Sequence, residues 1–207
     1  MTRWREISKG RTGHEYAARF DQLAASGADV HGEANLVTAL AATGSRVLDA
    51  GCGTGRVALR LRELDYECVG VDLDPSMLEV ARGRGPEIPW YEADLAALRL
   101  PDEAAFDLIV AAGNIMPLLA EGTGPAVAAN LAALLVPGGV LVAGFGLDAA
   151  HLPIPEPTVD LPGYDGWCTA AGLVLERRLA SWDGAPYEGG GYAVSIHRIN
   201  PRRNGLE

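Results

Sequence analysis

VLDAGCGTGR, residues 47–56, opens on apolar residues, passes through an acid at Asp49, and then sets three glycines, Gly51, Gly53 and Gly55, in alternation with Cys52 and Thr54. The opening suits a buried strand, and the glycines suit a sharp bend from that strand into a helix. A ligand must approach such a bend closely: glycine permits the tight turn and removes the side chains that would block contact, while the helix start offers unpaired amides. The spacing is GxGxG, whereas a dinucleotide fingerprint has its third glycine one residue later, where this chain carries Arg56. Asp49 would repel a pyrophosphate and suits a ligand's amino group.

Outward from the bend, the next apolar run, ECVGVD, ends at Asp72. In doubly wound sheets an acid about 20 residues past the glycine turn accepts from ribose hydroxyls. Capping the following helix, DPSMLEVAR, falls to Asp74, with Pro75 in the first helical position, and this leaves Asp72 to a ligand. The next strand region closes on EADL, where Asp94 can accept from an adenine amine and Leu95 can cover the ring. Met77 suits either the other face of the ring or the core.

The runs RVLDA, ECVGVD, IPWYEAD, FDLIVAA and GVLVAGF read as parallel strands buried on both faces. Between them, Val57, Leu61 and Leu64 make one inward helical stripe, and Val127, Leu131 and Leu134 make another in a helix opened by Pro125 and predicted to end at Val136. Pro137 and Gly138 then suit a type II turn into a strand beginning near Val140. Upstream, Tyr16, Phe20 and Leu23 share one face of a helix ended by Gly27, and Ala34, Val37 and Ala41 share a face of a second. Past Asp148, Pro153, Pro155, Pro157 and Pro162 predict a lid-like loop of about fifteen residues without regular structure. A short helix from about Tyr164 to Ala171 follows. The runs LVLERRLASW and YAVSIHRI must pair antiparallel, because DGAPYEGGG between them is too short for a crossover helix. The expectation is one α/β domain over 1–207: a helical cap (1–44), a ligand-binding core (45–147), and a lid loop, short helix and final strand pair (148–200). Its sheet is doubly wound, seven-stranded and mostly parallel with an antiparallel last strand, in a three-layer α/β/α sandwich.

Composition narrows the partners. A formal charge of −10 disfavours phosphate backbones, and only RINPRR, residues 198–203, is locally basic, so no nucleic-acid partner is expected. No apolar run reaches membrane-spanning length and the opening MTRWREISKG lacks a signal-like apolar stretch, so no membrane partner and a cytoplasmic location are expected. Cys52, Cys68 and Cys168 form no CxxC pair, and neither a metal site nor a disulfide framework is expected.

In order, VLDAGCGTG, VGVDLDPSMLEVAR, EADL, FDLIVAAGN and LLVPGGVLV resemble the successive motifs of class I S-adenosylmethionine-dependent methyltransferases, over roughly residues 46–146. The resemblance implies S-adenosylmethionine as cofactor and S-adenosylhomocysteine as product. It implies that Asp49, Gly51, Cys52, Gly53 and Arg56 surround the methionine moiety, with Asp49 near its amino group and Gly55 completing the turn. It also implies that Asp72 holds the ribose, Leu73 and Met77 flank the adenosine, and Asp94 with Leu95 holds the adenine. Ala111, Ala112, Gly113 and Asn114 would lie near the methyl group, and Tyr16 and Arg19 would reach over from the cap. AAGNIMPL is similar to the small-molecule branch, since the Asn-Pro-Pro-Tyr motif of amino-methylating nucleic-acid enzymes is absent, and a small-molecule acceptor is implied.

Such an enzyme transfers its methyl group by in-line displacement, with the protein supplying orientation and a dry site and no metal required. A base is needed only for an acceptor that arrives protonated. Asn114, His151 in the proline-rich segment, and Tyr187 on the glycine-flanked loop are the candidates; His14, His31 and His197 are weaker. Two other readings stand beside this one. One is a nicotinamide-dependent oxidoreductase, which shares the strand, glycine turn and acid. The other is a non-catalytic relative that keeps the cofactor fold.

Overall fold

A computed structural model describes Trp4, Ile7, Gly10 and residues 12–100 and 105–199. RINPRR from Asn200 onward and most of the opening decapeptide lie outside the described residues. In chain order the elements are α1 (Gly13–Ala25), α2 (Gly32–Leu40), β1 (Arg46–Ala50), α3 (Arg56–Glu63), β2 (Glu67–Asp72), α4 (Pro75–Arg84), β3 (Trp90–Glu92), a 3-10 turn (Leu95–Ala97), β4 (Phe106–Ala111), α5 (Ile115–Leu118), α6 (Gly124–Ala133), β5 (Leu135–Gly146), α7 (Leu161–Ala170), β6 (Leu173–Leu179) and β7 (Tyr192–Ile199). The described strands form one sheet in the order β3-β2-β1-β4-β5-β7-β6. Every pairing from β3 to β5 is parallel, and β7 runs antiparallel to both β5 and β6.

Strand alternation divides the core between two faces. Leu48, Ala50, Ile109 and Ala111 pack with Val127 and Leu131 of α6 and Tyr164 of α7. Val47, Leu108, Val110 and Val142 pack on the opposite face with Val37 of α2, Leu61 of α3 and Leu78 of α4. Asp49 is in phase with Val47, so it projects toward α3. Strand order reverses between β1 and β4, and in open α/β sheets the crevice beyond the strand ends at that point receives ligands.

Two boundaries differ from the sequence expectation. α6 stops at Ala133, before Val136, because Leu135 already pairs with Phe106 and the Phe106 N–H donates to Leu134 O at 2.8 Å. Pro137 and Gly138 (φ 79°) therefore sit within β5 as an irregularity, after which the ladder resumes at Val140 opposite Leu108. Similarly, Pro162 opens α7 rather than breaking it: Asp160 caps the helix by accepting from Gly163 N at 2.8 Å, and a proline in the first turn sacrifices no helical hydrogen bond. Residues 147–160 contain neither helix nor strand.

Trp90 carries the glycine bend from below. A Cβ at Gly70 or Gly55 would collide with its indole ring, and its Nε1–H donates to Gly85 O at 2.7 Å. Gly55 (φ 81°) thus serves both the left-handed backbone and the seat of this ring.

On the other side of the sheet, His197 is buried edge-to-face against Tyr164 at 5.3 Å, with Nε2 3.3 Å from Asp165 Oδ1. Burial lowers its pKa and the Arg178 guanidinium lowers it further, while Asp165 acts in the opposite direction. Asp165 is itself held by Arg178 at 2.6 Å. The folded chain therefore refuses a proton that the unfolded chain accepts below about pH 6.5. Stability is expected to be highest above that pH and to fall as the solution is acidified beneath it. A His197→Asn variant should flatten this part of the profile in urea titrations; an equally steep profile would remove His197 as the cause.

Candidate active site

The crevice at the strand reversal opens over the glycine bend and encloses about 1000 Å³, its mouth included. Its wall takes Asp49, Gly51, Cys52, Gly53 and Arg56 from the bend, Asp72, Leu73 and Met77 from β2 and α4, Asp94 and Leu95 after β3, Ala112 and Gly113 after β4, and Tyr16 from the cap. Thus the structure brings together most of the residues singled out in the sequence.

Its three carboxylates are held by backbone amides. Asp72 accepts from Gly53 N at 2.7 Å with one oxygen and from Asp74 N at 2.8 Å with the other, which locks the acid against the bend. Burial nonetheless raises its pKa. Asp49 is only 3% exposed and accepts from Ala58 N at 3.2 Å. Gly55, at the N-cap of α3, has no side chain to offer, so Asp49 reaches up from β1 to serve an amide in the helix's first turn. Burial pushes its pKa up to about 7, against the opposing effects of that hydrogen bond and of Arg56. Asp94 caps the 3-10 turn by accepting from Ala96 N at 2.9 Å.

Arg56 is not left free for a ligand. Its guanidinium meets Glu33 at 2.8 Å, bonds Val30 O, and lies over the Phe20 ring at 4.7 Å. With this cation neutralised by Glu33, the carboxylates dominate the wall and favour a positively charged ligand. The cap is fastened above: the Gly13 N–H donates to Ser76 Oγ at 3.2 Å, Arg84 pairs with Asp21 at 2.7 Å, and Trp4 Nε1 donates to Asp74 Oδ2 at 2.9 Å. Trp4 and Tyr16 meet edge-to-face at 6.0 Å.

Several expected residues lie elsewhere. Arg19 is exposed on the outer side of α1, because Tyr16 and Ala17 occupy the inner side. Gly55 is turned toward Trp90, and Ala111 is buried within the sheet core. Cys52 contributes to the wall but is buried among the core residues beneath it, and burial raises its pKa well above the ordinary thiol value. Tyr187 donates to Gly190 O at 3.1 Å and is spent on its own loop. Neither Asn114, which follows Gly113 of the wall, nor His151 lines the cleft; the Asn114 amide donates to His151 O at 3.1 Å. The space in front of Gly51 is filled by Ile115, whereas a Cβ at Gly53 would meet only Tyr16 at 4.0 Å.

Sequence reasoning missed Trp4, Thr54, Val57, Ala93, Ile115, Leu118 and Leu119 on the wall. Most of these are apolar residues at positions where simple packing is the default reading, so no local pattern separated them. Among the described residues, no group of three His, Cys, Asp or Glu side chains is placed to hold a metal, and no helix is long and apolar enough to cross a membrane. All three cysteines are unpaired and buried.

A doubly wound sheet with an acidic, glycine-lined cleft at its switch point defines a Rossmann-like nucleoside-binding class. A family model described as a methyltransferase domain matches residues 47–139. The crystal structure of a TehB-like SAM-dependent methyltransferase from Corynebacterium glutamicum is 35% identical, with a TM-score of 0.81 over 91% of this chain and 98% of that one. The chain belongs to the S-adenosylmethionine-dependent methyltransferase family. It is also 41% identical over 108 residues to the demethylmenaquinone methyltransferase of Thermus thermophilus, covering 47% of this chain and 49% of that protein. The chain spans about half the length of the curated relatives it matches. The CcbJ methyltransferase of Streptomyces caelestis shares the fold at 24% identity, with a TM-score of 0.70 over 82% of this chain and 94% of that one.

Proposed function

We propose that the chain binds S-adenosylmethionine in this cleft and methylates a small-molecule acceptor. The observation that carries this reading is the Asp72 carboxylate, clamped by the Gly53 and Asp74 amides beside an open glycine, where it can still accept from two vicinal hydroxyls. The residues fit the cofactor. Asp49 matches an ammonium, Asp72 a ribose, and Asp94 an exocyclic amine, while Leu73, Met77 and Leu95 supply apolar cover. Arg56 serves this site by tying the cap to the bend through Glu33. The bound cofactor supplies an activated methyl carbon; the protein orients it and excludes water.

The acidic composition supports a small acceptor over nucleic acid, and three unpaired thiols accord with a cytoplasmic setting. The nicotinamide reading gains no support: the wall is acidic where a pyrophosphate would sit, and the relatives matched above are methyltransferases. Calorimetric titration tests the proposal. S-adenosylhomocysteine is expected to bind and NADH is not; binding of NADH, or none of S-adenosylhomocysteine, would overturn it.

Asp49 gives this binding a pH dependence. An ammonium pairs with the ionised carboxylate, so affinity should rise as pH climbs through about 7, where Asp49 loses its proton. Between pH 7 and pH 6 the ionised fraction falls roughly five-fold, and the association constant should fall with it. Asp49→Asn should bind weakly at both values. A flat profile in the wild-type protein would show that no proton leaves Asp49 on binding.

A further inference from the structure

Where β4 and β5 end, four constraints build one small structure. Asn114 holds a left-handed backbone (φ 67°), which is costly for a residue with a side chain. Its own amide sustains that conformation: Oδ1 accepts from Gly146 N at 2.7 Å and Nδ2 donates to His151 O at 3.1 Å. A Cβ at Gly146 would strike the His151 backbone, and one at Gly191 would strike both Asp148 and the His151 ring, so two glycines admit the fold-back. Leu147 N donates to Gly191 O at 2.7 Å and closes it. Seated in this frame, His151 Nδ1 lies 2.7 Å from Asp148 Oδ1. The same oxygen accepts from Ala150 N at 3.0 Å and His151 N at 3.1 Å, fixing the carboxylate.

We infer that His151 is a catalytic base, that Asp148 and Asn114 position it, and that the acceptor is a hydroxyl, thiol or ammonium compound that arrives with a proton on its attacking atom. The inference rests on the methyltransferase reading above. The ionised Asp148 takes the Nδ1 proton as a hydrogen bond, which leaves the Nε2 lone pair for an acceptor. The His151 bond holds Asp148 below its ordinary pKa, as an ionised partner requires. The imidazole is about half exposed, and the His151 backbone carbonyl is tied to Asn114, the residue that follows Gly113 of the cleft wall; the Tyr192 ring lies 6.4 Å from the imidazole. In the transfer step the acceptor's proton passes to Nε2 and its freed electron pair forms the bond to the methyl carbon. The carbon–sulfur bond breaks with its pair returning to sulfur, leaving a neutral thioether and an imidazolium.

Diethylpyrocarbonate, which acylates unprotonated imidazole nitrogen, tests the dyad without a known acceptor. Peptide mapping of the full chain should show His151 reacting about five-fold or more faster than exposed His14 near neutral pH. Asp148→Asn keeps the oxygen that meets both backbone amides and Nδ1, so the turn persists, but it removes the negative charge that makes the imidazole the stronger nucleophile. That variant should lower His151 to the His14 rate, while nitrogen NMR of the wild-type chain should show the ring proton on Nδ1. Equal rates for His151 and His14, a wild-type ring proton on Nε2, or an unchanged rate in Asp148→Asn would overturn the inference. These readouts need no bound cofactor, so a failure of S-adenosylhomocysteine to bind would be scored separately.

Discussion

Replacing Asp72 by alanine should weaken S-adenosylhomocysteine binding by about a hundred-fold or more while the chain remains folded. A carboxylate that accepts from two ribose hydroxyls makes charge-assisted hydrogen bonds contributing roughly 1.5–3 kcal/mol each, and a methyl group makes neither. The fold should survive because β2 is held on both sides by parallel ladders to β1 and β3 that do not involve the Asp72 side chain. The substitution also frees the amides of Gly53 and Asp74, so the bend loses a brace as well as a ligand contact. Asp72→Asn separates the two losses: its oxygen can keep one amide and one hydroxyl, and its affinity should be intermediate. Calorimetry gives the affinity and urea titration the fold. Wild-type affinity in the folded alanine variant would remove the ribose assignment and, with it, the observation on which the proposed function stands.

Trp90→Ala is expected to give the largest loss of stability, about 3–5 kcal/mol, the range for removing a buried aromatic side chain. The indole fills the space beneath Gly55 and Gly70 and donates to Gly85 O, so truncation opens a cavity under the bend and leaves that carbonyl with only the Ile88 N–H, at 3.2 Å. That cavity lies on the side of the sheet where Cys52, Val57 and Leu61 pack. Cofactor affinity should fall as well, since the bend loses its floor. Urea unfolding followed by a fluorophore other than tryptophan, together with calorimetry on the folded fraction, checks both. A loss below about 1 kcal/mol with unchanged affinity would show that the bend holds its shape without the ring.

The parallel strands were legible because burial on both faces demands continuous apolar runs, and the final antiparallel pair was legible because its connection is too short to cross over. The α6 end and the α7 start were misjudged for opposite reasons. At α6, the pairing of Leu135 with Phe106 overrode helical periodicity. At α7, Asp160 supplied the cap that turned Pro162 from a breaker into a first-turn residue. Arg56 looked like a ligand contact because its neighbours were, yet its partner Glu33 is 23 residues away on the cap, a distance at which no local pattern operates. Asp49 showed the reverse. It was marked as a ligand group from its place before the glycines, and the structure adds its second task as the surrogate cap of α3.

Local sequence alone determined that this chain forms a doubly wound sheet with a glycine bend and acids at the ends of β1, β2 and β3, because turn chemistry, capping and strand periodicity act over a few residues. Only the tertiary structure decided which of those acids are braced by amides, that Trp90 lies beneath the bend, and that Asn114, Asp148 and His151 meet at the ends of β4 and β5. Those outcomes depend on strand order and on which side chains oppose each other across layers, and residues distant along the chain become neighbours only when the whole core closes.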